Sequence, residues 1–251
     1  MRLPQDKLQE LKSLISRWLS RKKAQKRELL SLVGHLAHAA KVVPPGRTFI
    51  RRILDVAHSK GQLHHWIYLN SAFRSDLLWW HTFLDQWHGV SCIKTHVLAP
   101  PDFVMLSDAS GSWGCGAICG SDWLQCEWNG VWEGESIALK ELLPIVLATA
   151  VWGQKWARSN VLARCDNMAV VEIIKAHTSK SPSIMHLLRC LHFFTAKWDI
   201  RLEVEHIPGA SNTVADAISR NLMQVFREEA PQANWMPTPI LPTLWELVIS
   251  V

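Results

Sequence analysis

Four acidic residues stand where packing alone would not put them. Asp108 follows the apolar run Phe103-Val104-Met105-Leu106, and Asp166 follows Val161-Leu162-Ala163-Arg164-Cys165. A charged side chain at the end of a buried strand loses hydration and needs a cation or a donor to offset the loss. Glu141 lies within the apolar stretch from Ile137 to Trp152, and Asp216 falls in the first turn of a helix expected after Asn212. Carboxylate oxygens are hard ligands, so four of them gathered together would suit Mg²⁺ or Mn²⁺. Two such ions, roughly 3.5–4 Å apart, can hydrolyse a phosphodiester. His206 has the side chain that can take up and release a proton, which suits a shuttle beside them. Each residue also has a plainer role. Asp108 can open a turn with Ser110 and Gly111, Glu141 can face solvent, Asp166 or Asp216 can cap a helix, and His206 can hydrogen-bond to backbone.

The elements that would carry these residues are read from periodicity. Phe103–Leu106 is a short apolar strand, and Gly114–Cys119 with Trp123–Trp128 completes a β-meander. Helices are expected over Ile137–Trp152, Met168–Ala176, Ser183–Trp198 and Thr213–Leu222, with strands at Asn160–Cys165 and Arg201–His206 between them. Strands interleaved with helices make this span, 99–222, an α/β domain. Pro144 follows Glu141 closely, and an interior proline disrupts a helix by about 3 kcal/mol, so that helix is expected to start near Glu141 or to bend there. Residues 1–98 look all-helical, with apolar residues at helical spacing from Leu8 to Leu19, Leu29 to Leu36, Phe49 to Ala57 and Ala72 to Trp87. Val97–Asp102, with two prolines, reads as a linker, and residues 223–251, with four prolines, as an irregular tail apart from a short turn near Trp245.

The order of the acidic residues carries more than any one of them. Ser107-Asp108-Ala109-Ser110, Glu141-Leu142-Leu143, Cys165-Asp166-Asn167 and His206-Ile207-Pro208-Gly209, running on to Asn212 and Ala215-Asp216-Ala217, together resemble the ribonuclease H family over about 103–222. The closing Ser219-Arg220 pair resembles the retroelement branch, and Lys26–Gly34 with Leu77–Trp80 looks like the part of a reverse transcriptase between polymerase palm and ribonuclease H, DIRS-type retrotransposons above all. The resemblance implies an RNase H-like mixed five-stranded sheet with flanking helices, preceded by a smaller all-helical segment. It also implies cleavage of the RNA strand of RNA–DNA hybrids with two Mg²⁺, or Mn²⁺ in their place, on Asp108, Glu141, Asp166 and Asp216, with His206 as the family's mobile histidine. The polymerase part of a reverse transcriptase would then be a partner. Where the cellular family has a polar groove contact two residues after Asp166, this chain has Met168, and no basic helical protrusion stands between Ala176 and Ser183.

Charge distribution supplies the complement. The net charge of +5 over 251 residues is concentrated in Arg17, Arg21, Lys22, Lys23, Lys26 and Arg27, a surface suited to phosphate backbones, although a solvated helix face has the same composition. Ser110, Asn167 and Asn212 are the polar residues expected to meet nucleic acid near the carboxylates. No apolar run reaches the ~18 residues of a membrane span, and no apolar stretch follows the first basic residues, so an intracellular protein, cytoplasmic or nuclear, is expected. Six cysteines without a C-x-x-C pair point to reduced thiols rather than zinc. A polymerase palm needs paired aspartates, and no two are adjacent here, so polymerisation by this chain is not expected. The competing reading is a catalytically silent RNase H-like scaffold or nucleic-acid-binding module. A transposase or integrase nuclease would instead place its glutamate last, which Glu141 does not satisfy.

Overall fold

The computed structural model describes residues 3–86 and 100–249. The chain divides into two compact units, Met1–Leu98 and Ala99–Val251. In the first, helices α1 (Gln5–Leu19), α2 (Lys26–Ala39), α3 (Arg51–His58) and α4 (Ser71–Gln86) enclose a core that includes Ile15, Leu29, Leu36, Ile53, Phe73, Leu77 and Trp80. The unit is not all-helical. Strands β1 (Lys23–Gln25) and β2 (Trp66–Tyr68) pair antiparallel, and three residues apiece are too short for a period of two to be read from sequence. Of the expected linker, residues 97–99 lie outside the described residues.

In the second unit, β3 (Phe103–Ala109), β4 (Gly114–Cys119) and β5 (Asp122–Glu127) form the meander, and β6 (Asn160–Cys165) and β7 (Arg201–His206) extend the sheet on the other side of β3. The order is β5-β4-β3-β6-β7, with β3 antiparallel to β4 and parallel to β6, and β6 parallel to β7. The two parallel connections run through α5 (Ile137–Trp152) and through α6 (Met168–Ala176) with α7 (Pro182–Lys197). This is the RNase H-like mixed sheet with flanking helices. β3 holds the centre, so its residues meet neighbours on both sides. The strand runs to Ala109, which places Asp108 inside it rather than just beyond it.

Two local expectations are corrected. Helix α5 spans Ile137–Trp152 as its apolar stretch predicts, with the Ser136 hydroxyl accepting from the Leu139 amide, so Pro144 does not move its start to Glu141. Twelve of its sixteen residues are buried, and that tertiary burial outweighs the hydrogen bond that Pro144 removes. The tail is not irregular either: after α8 (Thr213–Ser219) come α9 (Met223–Glu229) and α10 (Pro242–Ile249). Phe226, Ala230 and Ala233 bury against Ile118, Trp123 and Ile218, and the Trp123 indole donates to the Asn234 carbonyl at 2.7 Å. Pro242 occupies the first helical position of α10, where the missing amide costs nothing. Residues 223–249 are therefore packed parts of the second unit.

Candidate active site

Three carboxylates from three elements converge. Asp108 on β3, Glu141 on α5 and Asp166, one residue past β6, each offer an oxygen within 4.8 Å of the other two. Asp108 and Glu141 are buried, at 4% and 5% exposure, whereas Asp166 is half-buried. Burial, reinforced by the neighbouring carboxylates, pushes Glu141 up to about 9 and Asp108 up to about 6. For Asp108 the Ser219 hydroxyl opposes the shift by donating to Oδ2. Glu141 is offset only by the Ala109 amide, and its Oε2 is buried with no hydrogen-bond partner among the described residues. An orphaned buried oxygen beside two further carboxylates is what a hard dication would satisfy, so the residues present fit Mg²⁺ or Mn²⁺.

The fourth acid is close but otherwise engaged. Asp216 lies on α8, partly exposed, and its Oδ1 accepts from Arg220 Nε at 2.5 Å. It does not join the cluster of three among the described residues, yet its charge raises both Asp108 and Glu141. His206 ends β7 with Nε2 3.1 Å from the Asp166 carbonyl, which is the backbone anchoring that its plainer role describes. A carbonyl only accepts, so Nε2 carries the proton and Nδ1 keeps its lone pair in the neutral ring.

The polar residues expected to meet nucleic acid divide differently. Ser110 is buried, and its hydroxyl accepts from the amides of Trp113 and Gly114 at 2.9 Å, closing the β3–β4 turn. Asn212 is fully buried, and its amide donates to the Ser107 carbonyl at 3.0 Å, tying the start of α8 to β3. Both are thus structural in placement. Asn167 caps α6, its side chain accepting from the Val170 amide at 3.3 Å, and stays half-exposed beside Asp166. The basic residues Arg17, Arg21, Lys22, Lys23, Lys26 and Arg27 all belong to the first unit. Two are committed locally: Arg21 pairs with Glu28 at 2.8 Å, and Lys26 donates to the carbonyls of Lys60 and Gly61.

Two positioning residues escaped the sequence reading. In sequence Ser219 is only half of the closing Ser219-Arg220 pair, yet its hydroxyl meets the central carboxylate. Gly116 lies directly across from Asp108 in the β3–β4 register, and a Cβ there would come within 2.2 Å of Ile218 Cγ2 on α8. Only glycine lets α8 lie this close to the sheet, and that approach carries Ser219 to Asp108. Glycine at Gly114 and Gly116, alternating within one strand, was the available signal.

Sheet order and acidic centre together define an RNase H-like α/β domain with a buried carboxylate cluster. No family model matches the chain, and no curated protein matches it. Solved structures with a similar chain trace include the N-terminal RNase H domain of a Mycobacterium tuberculosis protein fused to maltose binding protein, at 17% identity and TM-score 0.41, covering 47% of this chain and 96% of that one. LC11-RNase H1 in complex with RNA/DNA hybrid is similar at 15% identity and TM-score 0.39, over 47% of this chain and 94% of that one. RNase H1 from Halobacterium salinarum NRC-1 is similar at 14% identity and TM-score 0.38, over 49% and 97%.

Proposed function

We propose that the second unit is a ribonuclease H-type endonuclease that hydrolyses the RNA strand of RNA–DNA hybrids. The observation that carries this reading is the trio Asp108, Glu141 and Asp166, two of them buried and the third half-buried, whose oxygens lie within 4.8 Å of one another. Asp108, Glu141, Asp166 and Asp216 would hold two Mg²⁺. When bound, the ions would activate water and stabilise the leaving 3′-oxygen. Ser219 orients Asp108 through its hydroxyl, and the Ala109 amide orients Glu141. His206, anchored through Nε2, offers Nδ1 to a proton near the scissile phosphate. Contacts to 2′-hydroxyls in the hybrid's minor groove would select RNA. The basic residues from Arg17 to Arg27 would add affinity for the hybrid's phosphates, and the retroelement resemblance makes the polymerase part of a reverse transcriptase the expected partner.

One observation favours a silent, nucleic-acid-binding module instead: Arg220 already neutralises Asp216. That pair is more than a third exposed on both sides, and exposed ion pairs contribute only about 0–1 kcal/mol, so a dication would displace Arg220 readily. Incubation with end-labelled RNA annealed to DNA separates the two readings. Cleavage of the hybrid in Mg²⁺, with single-stranded RNA and duplex DNA left intact and no product in chelator, is the expected result. An intact hybrid at every Mg²⁺ and Mn²⁺ concentration would leave the silent module.

A further inference from the structure

The ribbon β1–β2 in the first unit has an outward face unlike the rest of that unit. Alternation along the strands turns Ala24 and Ile67 into the core and leaves Lys23, Trp66 and Tyr68 outside. Trp66 is 53% exposed and Tyr68 is 80% exposed. Residues two apart on one face of a strand stand about 7 Å apart, so the two aromatic side chains are neighbours on the outward face. Lys23 lies directly across from Tyr68, and its Nζ sits 5.1 Å from the centre of the Trp66 ring.

Charge around the ribbon is mostly positive; Glu28, whose carboxylate accepts from the Gln25 amide at the end of β1 and pairs with Arg21, is the acid held against it. No acidic residue occurs between Glu10 and Glu28, the stretch that supplies β1, or between Asp55 and Asp76, the stretch that supplies β2. Lys22 and Lys23 are exposed at one end, and His64 and His65 are exposed just ahead of Trp66. The ribbon is also held firmly in place. The Leu69 amide donates to the Lys22 carbonyl at 3.0 Å, and the Lys26 amide to the His65 carbonyl at 3.1 Å, which extends the pairing at both ends. Such a face matches single-stranded nucleic acid: outward aromatic rings accept bases of any sequence, and flanking cations accept the phosphates.

We infer that the β1–β2 ribbon is a stacking platform for single-stranded nucleic acid, with Trp66 and Tyr68 carrying bases and Lys22 and Lys23 meeting phosphates. The site lies outside the carboxylate cluster, and its occupancy does not depend on cleavage.

Tyr68 is the single tyrosine of the chain, so 3-fluorotyrosine incorporated into the full-length protein reports on the ribbon alone. Titration with an oligothymidylate of about 20 nucleotides, which is no substrate for an RNA-cleaving site, should shift that ¹⁹F resonance saturably. In parallel, Trp66→Ala should weaken binding of the labelled oligonucleotide about tenfold, the scale of one lost base stack. Lys23→Gln should lower the salt slope by about 0.7, the value for one phosphate on a single strand. Both side chains are exposed, so neither change removes core packing. A resonance that stays fixed at saturating oligonucleotide, or wild-type affinity in Trp66→Ala, would overturn the inference. A resonance that instead moves with protein concentration alone would assign the face to self-association and overturn it equally. Hybrid cleavage by the same preparation is read separately, so failure here leaves the nuclease reading standing.

Discussion

At the residue scale, the electrostatics of the second unit converge on Asp108. Its carboxyl is raised to about 6, chiefly by burial, from an ordinary 3.8. A carboxyl raised in the folded state favours the protonated form, so its contribution to stability is present at low pH and is lost as pH climbs from about 4 to about 6. Above that window, the ionised group destabilises the metal-free fold. Asp108→Asn should therefore raise the metal-free melting temperature at pH 8 by about 5 °C, the scale of about 2 kcal/mol in a unit of this size, and change little below pH 4. Thermal melts in chelator at the two pH values check this, and an equal shift at both would contradict it. Asp108, Glu141 and Asp166 were legible through their joint order and the resemblance it carries, since each alone fits a turn, an exposed helix face or a cap. The separate engagement of Asp216 was not, because an i, i+4 partner such as Arg220 is equally consistent with a solvent-facing helix.

At the scale of elements, α8 matters most, because it is short and owes its position to contacts with β3 and β4. Gly116 makes room for Ile218, and Asn212 ties the start of the helix to the Ser107 carbonyl. Gly116→Ala should cost about 1–3 kcal/mol by overpacking, push α8 outward and part Ser219 from Asp108. Hybrid cleavage should then fall at least tenfold, and Gly116→Ala/Ile218→Ala should recover part of it. Simple additivity of the two losses would show that they do not act through one contact. Most strands and helices of the second unit were legible, since alternation and 3.6-residue spacing were unbroken. The span of α5 was legible too, but not that it would start well ahead of Glu141 despite Pro144, because burial that no local pattern displays supports it. The tail was legible only near Trp245: four prolines suggested irregular chain, whereas they mark the loop and the helix start around two packed segments.

At the scale of the whole molecule, stability and chemistry rest on different groups in the second unit. His192 is buried on α7 against His177, and burial, aided by that neighbour's charge, holds it down at about 3. The unfolded chain takes up a proton near pH 6.5 that the folded chain refuses until about 3, so His192 favours the fold above pH 6.5 and disfavours it progressively as pH falls. His192→Leu should flatten the fall in unfolding free energy between pH 6 and 4 by about 1.4 kcal/mol per pH unit, as urea melts would show. An unchanged slope would mean that the ring is protonated in the fold. No helix of the described residues is long and apolar enough to cross a membrane, in line with the apolar runs of the sequence. The most direct test of the account is a comparison of wild type with Asp108→Asn on a labelled RNA–DNA hybrid in Mg²⁺, with hybrid affinity measured on the same samples. The account predicts cleavage by wild type, no cleavage by the variant, and equal affinity; cleavage by Asp108→Asn at the wild-type rate would contradict it.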